Sequence, residues 1–177
     1  MFSNNGNYEK DIIRFTCIPF NVSYIGENTV AVTILNKHEV VYVSLITNRI
    51  INTVDIGHQC YGTDFTMNRL AIQALPVFTS SHIVYLDPKG QFIERVNISN
   101  GNSKNIALRD GTIKCMDRST ICCFTLTGQK IWKFKDESVL RTPNGIALDK
   151  NRNVYVAGVE TNNLKKRYRC LILNSFT

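Results

Sequence analysis

Three histidines, six cysteines and a handful of Asn and Asp residues are the side chains through which this 177-residue chain could ligate a metal, attack a substrate or move a proton. His38, His58 and His82 lie too far apart in sequence to form a two-histidine metal motif. Cys17, Cys60, Cys115, Cys122, Cys123 and Cys170 contain no C-x-x-C pair. Cys122 and Cys123 adjoin, and neighbours in a strand point to opposite faces, so these two cannot share one ion. The G-x-S-x-G, phosphate-loop and H-E-x-x-H patterns are missing from the sequence. Lys and Arg number 21 against 14 acids, for a net charge of +7 and a pI near 9.2. That balance permits anionic partners without requiring them. The residue types predict no catalytic residue, no metal and no cofactor, and turn attention to the surfaces that the fold presents.

The elements that build those surfaces recur along the chain. Pro19 to Tyr24, a turn at Gly26-Glu27-Asn28 and a strand over Thr29 to Thr33 form one layout. Pro143 to Asp149, a turn at Lys150-Asn151-Arg152 and a strand over Asn153 to Ala157 repeat it. Two further copies lie between, at Gly62 to Ile72 and at Asn105 to Ile113. With Val30, Leu70, Ile113 and Val154 as equivalents, the spacings are 40, 43 and 41 residues. Each of the first three copies adds a hairpin: 40–45 with 49–54, 82–86 with 91–96, and 120–124 with 129–134. These β-branched and aromatic runs, bounded by Asn, Gly and Pro, are hairpin chemistry. No segment keeps a 3.6-residue period over a helix length.

Four short antiparallel strands every 40 or so residues predict an all-β chain, a β-propeller of four-stranded antiparallel blades with about four blades present, in a partial or open propeller. Third strands such as Val40 to Leu45 and Ile121 to Phe124 are nearly continuous in apolar residues, as burial on both faces demands. In the fourth strand of the third copy, Lys130, Lys133 and Lys135 interleave with Ile131, Trp132 and Phe134, as an outer strand should. The expected organisation is a polar tail or part of a preceding strand over 1–14, blades over 15–57, 58–100, 101–140 and an incomplete 141–164, and an irregular tail over 165–177. Beyond Asn163 the apolar pattern of a third strand is lost, and a truncated product is expected.

Pro143-Asn144-Gly145-Ile146-Ala147-Leu148-Asp149, then Asn153-Val154-Tyr155-Val156-Ala157-Gly158, then Thr161-Asn162-Asn163-Leu164 resemble an NHL repeat. Arg152 replaces the family's turn Gly, and Gly158 its Asp. Cys60-Tyr61-Gly62 and Cys17-Ile18-Pro19 are similar in style to the tripartite-motif-like proteins expanded in molluscs, whose C-terminal region is such a propeller. The resemblance covers residues 15 to 164 and implies a non-catalytic scaffold for macromolecular recognition, similar to the substrate-binding end of a tripartite-motif ubiquitin ligase. Ligase activity would need a zinc RING, whose Cys and His pairs this sequence lacks, so the chain alone is not expected to be an enzyme.

A protein partner is expected first and RNA second, with no membrane and no DNA. The loops of one face carry Lys37, His38, His58, His82, Lys104, Arg118 and Arg141, a possible basic binding face for phosphates. A third alternative is a gluconolactonase-like metal-dependent hydrolase, in which oxygen donors at Asn21, Asp64, Asn105 and Asn144 would hold Ca²⁺; the inner-strand Glu of that family has no counterpart here. The same Asn residues serve equally well to satisfy backbone groups at strand entrances. No apolar run approaches the ~18 residues of a membrane span, and the first eleven residues lack the apolar stretch of a secretory leader. A cytoplasmic location with six buried, reduced thiols is therefore expected, and the sequons at Asn21 and Asn97 are expected to go unused.

Overall fold

Apolar β-branched runs separated by turn residues dictate short hairpin-linked strands. The computed structural model describes residues 3–76, 80–98, 104–117, 119–138, 140–158, 160 and 163–167, and its helical content there is a single 3-10 turn at Leu35–Lys37. The first sheet is β1 (Pro19–Gly26), β2 (Thr29–Ile34), β3 (Glu39–Ser44) and β4 (Arg49–Asp55). The second is β5 (Gln59–Thr66), β6 (Arg69–Leu75), β7 (His82–Leu86) and β8 (Phe92–Asn97). The third is β9 (Ile106–Arg109), β10 (Thr112–Asp117), β11 (Thr120–Thr125) and β12 (Lys130–Lys135), and the fourth is β13 (Pro143–Leu148), β14 (Val154–Gly158) and β15 (Asn163–Arg167). Each sheet runs in sequence order, three of them four-stranded and the last three-stranded, as in the blades of a β-propeller.

One difference from the sequence reading concerns β15. The expected loss of strand pattern beyond Asn163 does not occur at the backbone: β15 pairs with β14 from Gly158↔Asn163 to Val154↔Arg167. Backbone groups pair whatever side chains the strand carries, so the run Lys165-Lys166-Arg167 does not prevent the ladder. Residues 168–177 lie outside the described residues.

The inner hairpins are tight for a stated reason. Glu27 and Asn28, Met67 and Asn68, and Asp110 and Gly111 all have positive φ, the requirement of the two-residue turns whose twist matches that of the strands. The outer strands carry bulges. β4 skips a residue between Ile50 and Asn52, and β12 between Lys130 and Trp132, leaving Ile51 and Ile131 out of the ladder and exposed. Ile131 therefore does not share the alternation expected of it, because the bulge resets the pleat.

By internal contacts the chain forms two units. One holds the first sheet and the second through Arg95, apart from residues 80–82. Its core joins Ile25, Ala31, Val40 and Tyr42 to Cys60, Leu70, Ile72, Ala74, Val84 and Leu86. Each such aliphatic side chain contributes roughly 1.5–3 kcal/mol by leaving water. On the opposite face of the first sheet, Val30, Val32, Ile34, Val41 and Val43 pack against Ile12, Ile13, Phe15 and Cys17. The other unit holds residues 80–82 and the chain from Val96 onward. There Met116 and Ile121, with Trp132 and Phe134, pack against Leu140, Ile146, Leu148, Val154 and Val156.

Polar contacts lock neighbouring sheets inside each unit. In the first, Thr33 Oγ1 donates to the Tyr61 carbonyl at 2.8 Å, and in the second Asn105 Nδ2 donates to the Asn144 carbonyl at 2.7 Å. Both carbonyls lie at register shifts near the start of an innermost strand, where the ladder leaves a carbonyl in need of a partner. The outer turns use glycine for close approach. A Cβ on Gly90 would lie 2.6 Å from Asn52 Nδ2 and 2.9 Å from Val54, and one on Gly128 2.6 Å from both the Asn97 carbonyl oxygen and Val96. Asn52 Nδ2 donates to the Lys89 carbonyl at 2.9 Å beside the first of these contacts.

Candidate functional site

The loop residues proposed as a basic face fall in both units, and each unit is described by itself. In the first unit, Ile56 N donates to the His38 carbonyl at 2.9 Å, tying the turn that carries Lys37 and His38 to the loop that carries His58. Lys37 and His38 are exposed and His58 is half-buried. Glu39 and Asp55 face each other across β3 and β4 beside them, so the positive charge is interleaved with negative. In the second unit Lys104 is exposed, and Arg141 donates through Nε to the Glu137 carbonyl at 2.9 Å. Glu137 also pairs with Lys135 at 2.9 Å, and those contacts, led by the Lys135 hydrogen bond, hold its carboxyl below the usual range. His82, read as a loop residue of the face, is instead 3% exposed at the start of β7 and cannot meet a ligand from solvent. The reason lies one strand earlier in the pattern: His82 opens a five-residue strand that is buried throughout. Arg118 lies outside the described residues. Lys114, not singled out by the sequence, is also buried, and its ammonium donates to Thr112 Oγ1.

Three of the four residues weighed as oxygen donors for a cation bond backbone groups through their side chains. Asn21 Oδ1 accepts from Val22 N at 2.7 Å, Asp64 Oδ1 accepts from Phe65 N at 2.8 Å, and Asn105 holds the Asn144 carbonyl. Asp149, in the turn between β13 and β14, accepts from Asn151 N, Asn153 N, Asn153 Nδ2 and Tyr155 Oη at 2.6–3.1 Å. Those bonds, chiefly the one from the Asn153 side chain, pull its carboxyl down to about 2. Its acceptor capacity goes to shaping the hairpin. Among the described residues, no cluster of three or more His, Cys, Asp or Glu side chains has metal-binding geometry.

The cysteines fit the reading as thiols where they are described. Cys17, Cys60, Cys115, Cys122 and Cys123 are thiols outside any disulfide, and all but the half-buried Cys17 are buried; Cys170 lies outside the described residues. Burial pushes the Cys60 thiol up to about 12, with Asp55 and Glu39 adding to the effect, so it is not a nucleophile near neutral pH.

The surface that sequence reasoning missed is on β1. This innermost strand buries Ser23 and Ile25 on one side and presents Phe20, Val22 and Tyr24 on the other. Val22 is 59% and Tyr24 60% exposed, while the Phe20 ring stands edge-on to Tyr61 with centroids 5.3 Å apart. Ile18, just before the strand, is 54% exposed. The signal was the alternation Phe20-x-Val22-x-Tyr24, apolar on both sides of a strand that has only one side to bury.

Comparison with known proteins agrees with this architecture. Residues 138–163 match the Beta-propeller repeat family. No curated protein matches the sequence. Among solved structures, a chain of the nidogen/laminin complex superposes with a TM-score of 0.78 at 14% identity, over 93% of this chain and 65% of that one. The computationally designed Ika4 protein superposes with a TM-score of 0.67 at 12% identity, over 91% of this chain and 99% of that one. The glutaminyl cyclase of Myxococcus xanthus gives 0.60 at 12% identity, over 82% of this chain and 70% of that one. At these identities the likeness is one of fold. The chain has the fold of a β-propeller, and among its described residues no helix is long and apolar enough to cross a membrane.

Proposed function

We propose that this chain is a non-catalytic module for protein recognition, with a contact surface centred on β1. The observation that carries the reading is the exposed row of Val22 and Tyr24 beside Phe20 on a rigid strand. Aromatic and aliphatic anchors on a fixed backbone lose little entropy on binding and dominate protein interfaces. The likeness to a chain solved in a nidogen/laminin complex lends support by analogy of fold. The resemblance of Pro143 to Asp149 and Asn153 to Gly158 to an NHL repeat supports the finer reading, a substrate-recruiting end like that of tripartite-motif ligases. A cytoplasmic location accords with free, buried thiols. The RNA reading is the weaker one, because Glu39, Asp55 and Glu137 interrupt the basic loops and His82 is buried. The hydrolase reading is not adopted, since Asn21, Asp64 and Asn105 serve the backbone.

The test is affinity capture with the immobilised chain and its Val22→Ser/Tyr24→Ser variant. Both positions are exposed, so stability should change by no more than about 0.5 kcal/mol each. A protein retained by the parent and lost by the variant is the expected result. Retention unchanged in the variant would overturn the β1 surface. Nuclease-sensitive capture that weakens ~10³-fold or more between about 50 and 200 mM salt would instead establish the RNA reading.

A further inference from the structure

The positive charge of the chain is unevenly divided. The unit that holds residues 80–82 and 96–177 carries 14 Lys and Arg against 6 acids, whereas the other carries 7 against 8. Part of that excess is ordered on one strand. β12 ends its sheet, next to β11. Along the ladder Phe124 pairs with Lys130, Cys123 with Trp132, Cys122 with Lys133, Ile121 with Phe134 and Thr120 with Lys135. Alternate ladder positions share a face, so Lys130, Lys133 and Lys135 stand on one face, and Trp132 and Phe134 on the other. The bulge at Ile131 creates this row: without the extra residue Lys130 would fall on the side of Trp132. Lys130 Nζ accordingly stands over the Phe124 ring, 6.0 Å from its centroid. All three lysines are exposed, and two ladder steps set successive ones roughly 6.5 Å apart. Lys135 pairs with Glu137 at 2.9 Å, and among the described residues no carboxylate pairs with Lys130 or Lys133. The outer strand of the second sheet differs. In β8, Glu94 and Arg95 carry opposite signs, and Glu94 is bound to Arg69 at 2.7 Å.

We infer that the outer edge of β12 receives an acidic peptide as an added strand, one with Asp or Glu at every second position. A strand at the end of a sheet offers backbone donors and acceptors to a further strand. The lysine row decides which strand. Charge on an edge deters apolar strands and repels basic ones. A strand with acids at alternate positions matches the two-step spacing and sets a carboxylate opposite each ammonium, the favourable cross-strand pairing. Adjacent acids would send their neighbours to the opposite face, where Trp132 and Phe134 pack with Met116 and Ile121. This site does not rest on the β1 surface.

The experiment uses the full chain and two labelled synthetic peptides of one composition at about 0.15 M salt. In one, glutamates alternate with valine and threonine; in the other, the same glutamates are adjacent. By fluorescence anisotropy the alternating peptide should bind about tenfold or more tightly than its isomer, and hydrogen exchange should show new protection over 130–135. Lys130→Glu/Lys133→Glu should weaken that peptide about tenfold or more and bind a peptide of alternating lysines instead. Failure of the alternating peptide to bind, equal binding of the two isomers, no protection gained in β12, or undiminished binding to the reversed variant would overturn the inference. Single-stranded RNA that binds more tightly than the peptide and is lost in the same variant would overturn it too, assigning the row to phosphates. Should the double variant lose its β circular dichroism, Lys133→Gln decides: binding weakened about threefold or more supports the site, and unchanged binding refutes it.

Discussion

The β2–β3 face of the first sheet and the β14 face of the last occupy the same place in the repeat, and the difference in their covers is instructive. Val154 and Val156 meet a neighbouring sheet, with Trp132 and Phe134 closing the margin. Val30 and Val32 meet a segment without secondary structure. The repeat thus fixes what each face needs, an apolar cover, but not what supplies it. Both kinds of cover include half-buried side chains, and Val32, Ile34, Val41 and Val43 are buried beneath the irregular segment over residues 12–17.

The sharpest way to break this comparison is to truncate one residue under each kind of cover. Ile72→Ala, at a sheet-to-sheet contact and fully buried, should cost about 2–4 kcal/mol in denaturant unfolding. Phe15→Ala, half-buried in the irregular segment over residues 12–17, should cost only about 1 kcal/mol. Equal costs would mean that this segment is as integral as a sheet. Next comes the outer turn. Gly128→Ala drives a Cβ to within 2.6 Å of the Asn97 carbonyl, backbone that cannot swing aside, and should cost about 2–3 kcal/mol. Gly26→Ala, with open space around it, should cost about 1 kcal/mol from its positive φ alone. The first sheet's counterpart of Gly90 and Gly128, counted back from the bulge, is Asn48, at φ 54. Asn48→Gly should be nearly neutral.

Acid should separate the inner turns. Asp149 is held down to about 2 by the hydrogen bonds it accepts, against 3.8 unperturbed. A depressed carboxyl contributes stability that is present above the unfolded value and is lost as pH falls through the folded one. The β13–β14 hairpin should therefore loosen between about pH 4 and 2, and Asp149→Asn should flatten that part of the pH profile. The smallest effect is expected at the Arg152–Asp110 ion pair, 2.8 Å long and about half exposed. Asp110→Ala should cost less than about 1 kcal/mol and less still in high salt.

The blades were legible because each strand's burial is written in its apolar pattern: Val40 to Val43 and Ile121 to Phe124 read as buried on both faces and are. Bulges were not legible, since Ile51 and Ile131 are apolar and nothing local marks the residue that leaves the ladder. His82 misled because, as the first residue of the strand read over 82–86, it was also assigned to the loop face, whereas the strand is buried from its first residue. The packing of residues 12–17 escaped notice for a different reason. Ile12-Ile13-Arg14-Phe15 has neither strand alternation nor helical period, and its role is visible only once the valines it covers are placed. Of the basic face, the charged residues could be read from sequence, but not the strand pairing that sets Asp55 opposite Glu39.

Native-state hydrogen exchange, resolved by peptide, tests most directly whether one face is covered by a sheet and its equivalent by an irregular segment. Amides of β6 and β14 should exchange only through global opening, those of β2 and β3 should stay protected, and residues 12–17 should exchange close to the solvent-limited rate. Protection of 12–17 as deep as that of β2 would contradict the distinction.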